Sequence, residues 1–102
     1  MNVRFTRNAL AQLDKICADI ASQTPRATRD FVKWILIEAV RLRNSPESHQ
    51  KTDMPGVWVL DVRGYSCLMF YGINDAEQEV HILCIRRSVQ ALDAAKSSKR
   101  AR

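Results

Sequence analysis

Residues 54–87 read MPGVWVLDVRGYSCLMFYGINDAEQEVHILCIRR. Three β-rich apolar runs stand in a row here, at 57–62, 67–73 and 80–85. The gaps are Arg63-Gly64-Tyr65 and Asn74-Asp75-Ala76-Glu77, and their Gly, Asn and Asp are turn chemistry. The spacing predicts an antiparallel three-stranded meander. Arginines close the first strand (Arg63) and the third (Arg86, Arg87). A basic cluster at the strand ends is the main functional clue in the chain.

Period-two alternation assigns the faces. Trp58, Leu60 and Val62 share the face expected in the core, and Val57, Val59, Asp61 and Arg63 share a partly open one. The middle run is apolar on both sides, with Cys67, Met69, Tyr71 and Ile73 against Leu68 and Phe70. That marks a central strand whose open face wants cover. In the third run Val80, Ile82, Cys84 and Arg86 alternate with His81, Leu83, Ile85 and Arg87. Either assignment leaves an arginine at the end of the open side.

Upstream of the meander the pattern turns helical. Residues 2–5 alternate, with Val3 and Phe5 on one side, as in an edge strand, and Thr6 can cap the helix after it. Over 9–21, Leu10, Leu13, Ile16, Cys17 and Ile20 recur at three- and four-residue steps, with Arg7, Asp14, Lys15 and Asp19 opposite. Ser22-Gln23-Thr24-Pro25 interrupts the pattern. Thr24 then caps, and Pro25 opens, a second helix over about 25–43. That helix has two apolar stripes. Phe31, Ile35, Ala39 and Leu42 suit a contact with the first helix; Val32, Leu36 and Val40 point well away from it. So wide an arc must meet two layers, or leave part of itself for a partner. Arg41 and Arg43 favour the helix C-terminus, which Asn44-Ser45-Pro46 ends. Residues 47–53 form a polar loop carrying His49 and Lys51. Beyond the meander, Ser88 can cap a short helix with Val89, Leu92 and Ala95 on one side.

The chain of 102 residues reads as one domain over 1–95, and the basic stretch 96–102 is expected to be a flexible tail. Of the net charge of +5, the tail's four cations supply all but +1. The overall charge is therefore weak evidence for nucleic-acid binding, although such an arm can attract nucleic acid or an acidic partner. Cys17, Cys67 and Cys84 form no CxxC pair and lie in apolar runs; an odd count without a signal peptide points to a reducing cytoplasm. His49 and His81 have no metal-site spacing, no cofactor is implied, and no apolar run reaches the ~20 residues of a membrane span.

The order strand, helical hairpin, meander resembles the RelE/ParE superfamily of toxins from bacterial type II toxin–antitoxin pairs. The hairpin TPRATRDFVKWILIEAVRLRNSP is similar to the ParE branch. The segment KTDMPGVWVLDVRGY is closer to the RelE branch, where a basic residue, Met-Pro, a strand ending in Arg, and Gly-Tyr come in that order. The resemblance covers roughly residues 3–87 and implies an α+β fold with a concave sheet face. It also implies a cognate antitoxin, in a hetero-oligomer with the toxin, that wraps exposed apolar surface; Val59, Asp61, Phe70 and Tyr71 are the expected contacts.

The resemblance implies one of two targets. ParE-like members inhibit DNA gyrase. RelE-like members cut mRNA in the ribosome by a metal-independent 2′-OH attack, which needs a base, cations for the phosphorane and an acid. For that chemistry the resemblance places Lys51, Arg63, and Arg86 or Arg87 as the cations; His49, His81, Asp61 and Tyr65 remain as acid–base candidates, with His49 in the matching loop. The segment SVQALDAAK after the last strand lacks the Tyr or His that nucleases of the family often carry there. In addition, Trp58 stands where ParE-like chains commonly have Arg. The balance leans to gyrase inhibition, with mRNA cleavage and a non-toxic, antitoxin-binding regulator as alternatives.

Overall fold

Two threonines set where the helices begin. Thr6 and Thr24 are extended, and each side-chain oxygen accepts a hydrogen bond from the backbone N–H three residues on, at Ala9 and Ala27, both at 3.1 Å. Those bonds satisfy otherwise orphaned donors and contribute about 1 kcal/mol each. The computed structural model describes residues 1–22, 24–62 and 65–87. Its elements are β1 (Asn2–Phe5), α1 (Arg7–Ala21), α2 (Pro25–Asn44), β2 (Gln50–Lys51), β3 (Trp58–Val62), β4 (Cys67–Asn74) and β5 (Glu79–Arg87).

The expected meander is present, inside a wider sheet. Strand order is β1-β5-β4-β3-β2. The pairs β3–β4 and β4–β5 are antiparallel, whereas β1 lies parallel to β5 at one edge. At the other edge Gln50 and Lys51, read above as loop, pair with Val59 and Trp58 as a two-residue strand. Helices α1 and α2 cover one sheet face. Phe31, Ile35 and Leu42 of α2 meet Leu60, Val62, Met69, Tyr71, Val80 and Ile82 in the core. Burying an aliphatic or aromatic side chain of this size stabilises by about 1.5–3 kcal/mol.

Two expectations about faces need correction, and a choice left open for α2 is decided. Leu10 is exposed; α1 turns Ala9, Leu13 and Ile16 inward instead. The second stripe of α2 meets no layer among the described residues, since Leu36 and Val40 are 55% and 53% exposed. Within β5 the alternation breaks: Tyr71 pairs with Ile82 but Phe70 pairs with Cys84, so Leu83 is an extra residue in a β-bulge. Val80, Ile82 and Ile85 are buried, and neither simple alternating set describes them.

Side chains from the start of α1 satisfy the backbone that the bulge disturbs. Thr6 and Asn8 both donate to the Leu83 carbonyl, at 3.3 and 3.2 Å, and Ile85 N–H donates to Gln12 Oε1 at 2.7 Å. Unpaired, those groups would cost a desolvation penalty. The expected short C-terminal helix, the basic tail, Gln23, Arg63 and Gly64 lie outside the described residues.

Candidate functional site

The bulge decides where the two terminal arginines of β5 go. Beyond it the inward parity changes from even to odd numbers. Arg86 therefore falls on the open face, exposed, and its Nε donates to Cys84 Sγ at 3.1 Å. Arg87 falls on the helix side, half-buried beside Cys67. Burial pushes the Cys67 thiol up to about 12; the Arg87 charge pulls it down only in part, and Asp61 adds to the rise. A thiol held protonated in this way is an unreactive core group.

His49 and Lys51 belong to a different corner. Lys51 pairs with Trp58, and its Nζ lies 5.3 Å from the Trp58 ring centre. Trp58 stacks on Tyr71 with centroids 6.4 Å apart, and His49 meets Tyr71 edge-on at 6.3 Å. Both contact Tyr71, which is fully buried and donates its hydroxyl to the Pro46 carbonyl at 2.6 Å. Burial raises that phenol to about 12. The row Lys51–Trp58–Tyr71–Ile82 and the row Val62–Cys67–Arg87 are four residues apart along β3. With three strand spacings across, Lys51 and Arg87 are separated by about 20 Å. The candidate cations thus do not converge; Arg63 lies outside the described residues.

On the open face Val59, Phe70 and Cys84 form one row and Asp61, Leu68 and Arg86 the next. Val59, Asp61 and Phe70 share that face. Tyr71 does not, because strand alternation turns it into the core; its assignment to the partner surface is corrected. The other end of this face holds a charged group that sequence reading missed. Glu79 bonds Arg4 of β1 at 2.5 Å and His81 at 3.0 Å. The His81 hydrogen bond, then Arg4, holds its carboxyl below the usual range. The parallel pairing of Arg4 with His81 brings the three together, and no local pattern announces a pairing between the first and last strands. His81 is five positions along β5 from Arg86, roughly 16 Å away.

Among the described residues no three His, Cys, Asp or Glu side chains gather as metal ligands, and no helix is long and apolar enough to cross a membrane. The unpartnered stripe of α2 lines a shallow groove. Its apolar residues are Val32, Leu36, Ile37 and Val40, and Arg29, Lys33 and Arg41 edge it.

No functionally curated protein matches this sequence. Among solved structures, the chromosomal ParDE toxin–antitoxin system of P. aeruginosa is similar with a TM-score of 0.75 and 23% identity, covering 85% of this chain and 95% of that one. The RelBE2 toxin–antitoxin complex of Mycobacterium tuberculosis is similar at 0.58 and 26%, covering 84% and 95%. The intact RelBE toxin–antitoxin complex of E. coli is similar at 0.57 and 18%, covering 84% and 94%. The family model of the ParE toxin of type II toxin–antitoxin systems matches residues 3–92, and the chain belongs to that family.

Proposed function

We propose that this protein is a type II toxin that arrests growth by inhibiting DNA gyrase without cutting RNA, and that a cognate antitoxin neutralises it. The separation of the cations carries the target reading. Cutting RNA by 2′-OH attack requires a base, an acid and phosphate-stabilising cations around one phosphodiester. Here Lys51 and His49 sit with Trp58 and Tyr71, about 20 Å from Arg87 by strand spacing. Tyr71 is no general acid at neutral pH, being buried with its hydroxyl committed to Pro46.

Support for the antitoxin comes from apolar surface left uncovered. Leu36, Val40 and half-buried Val32 on α2, and Val59 and Phe70 on the open sheet face, have no covering layer among the described residues. A helical or extended partner segment would bury them.

The test is induced expression of the chain alone, with primer extension on a translated reporter mRNA and plasmid supercoiling read from the same cells. The expected result is intact mRNA, altered supercoiling and induction of the DNA-damage response. Translation-dependent cuts that disappear in R86A and R87A proteins would overturn the target reading in favour of mRNA cleavage. Absence of growth arrest would leave a regulator that only binds antitoxin.

A further inference from the structure

A second cationic feature lies on the helix side of the sheet, between α1 and the end of β5. Gln12, Lys15, Ile16 and Asp19 run along one face of α1 at helical steps and face Ile85, Arg86 and Arg87 across a cavity of about 300 Å³. Ile16 and Ile85 are both buried and make its floor. Gln12 is held in place because its Oε1 accepts from Ile85 N–H at 2.7 Å, which leaves the amide nitrogen as a fixed donor. Lys15 and Arg87 have no ion-pair partner among the described residues. Arg87 is half-buried, where an unpaired charge is costly.

We propose that this cavity is a binding site for a phosphate group. Lys15, Arg87 and the Gln12 amide approach from two elements, which suits a tetrahedral oxyanion better than a planar carboxylate. Asp19, four residues on from Lys15, leaves the side chains turned into the cavity with a net charge of +1, counting Lys15 and Arg87 against it. The site faces away from the open sheet surface and does not depend on which target the toxin poisons.

Binding is read by amide NMR on the purified full chain, titrated with sodium phosphate against sodium chloride at matched ionic strength. Saturable shifts at the Gln12 side-chain amide and at Ile85 and Arg87 are expected with phosphate and not with chloride. K15Q and R87Q should each weaken binding by about tenfold or more, and R87K less. K15Q changes an exposed helix position and keeps the fold, so its result stands if R87Q proves unstable. Equal shifts in chloride, or affinity unchanged in K15Q and R87K, would overturn the proposal. A 5′-mononucleotide and a single-stranded oligonucleotide identify the source. Tighter oligonucleotide binding whose salt dependence falls in K15Q assigns the phosphate to a polynucleotide backbone; no gain over inorganic phosphate assigns it to a small molecule.

Discussion

The hydroxyl of Tyr71 shows how one residue can look like a contact and be a clamp. Strand β4 is apolar on both faces, so its odd and even residues are equally hydrophobic in sequence. Only the helices on one side decide which set is buried. Tyr71 ends inside, and its bond to Pro46 fixes the chain just before the loop that carries His49. Replacing it with Phe leaves the Pro46 carbonyl without this donor. We expect Y71F to lose about 1 kcal/mol of stability, read in thermal denaturation as a Tm about 4–8 °C lower. Gly56 makes a second residue-scale case. Its φ of +76° is left-handed, and a Cβ there would meet nothing. G56A should therefore cost about 1–2 kcal/mol through backbone strain alone, measured by urea denaturation.

At the scale of elements, the β-bulge of β5 is the feature that period-two reading could not find. An extra residue changes the side-chain parity, and nothing local in VHILCIRR marks where. The cue was distant: Thr6, Asn8 and Gln12 recur at the start of α1, ready to satisfy irregular backbone. Q12A should cost about 1–3 kcal/mol, because Ile85 N–H is left without its acceptor. Q12E keeps an acceptor and should recover most of that in the same chemical denaturation assay. The pairing of β1 with β5 was equally hidden, since each strand is recognisable alone but not as the other's neighbour. Glu79 ties them through Arg4. A carboxyl held below its ordinary value adds stability above that value and loses it as pH falls through the lowered one. Parent and E79Q proteins should therefore differ near neutral pH, begin to converge as pH falls past the ordinary value of 4.5, and meet below the lowered one, which denaturation midpoints across pH would measure.

For the whole molecule, helix caps, the hairpin and the meander were legible because each rests on local spacing. The scatter of the candidate site was not, because sequence order placed Lys51 and Arg63 near one another in a loop and strand, while the sheet carries Lys51 to one corner and Arg87 to another. The wide apolar arc of α2 was legible as a choice between two layers and a partner, and the described fold leaves its second stripe exposed. An L36D/V40D double variant should still arrest growth when expressed alone and should escape rescue by co-expressed antitoxin. Unimpaired rescue would remove the stripe from the antitoxin interface.

The parallel pairing of the first strand with the last has a consequence for synthesis. As the chain leaves the ribosome, β1 is made first and has no strand partner until β5 emerges, about 75 residues later. At ~5–20 residues per second that interval lasts roughly 4–15 s. Throughout it the sheet lacks its β1 edge, and Thr6, Asn8 and Gln12 have no bulge to hold. The β1–β5 pairing is therefore among the last contacts of the sheet to form, and the described fold is complete only once residues 79–87 have been made.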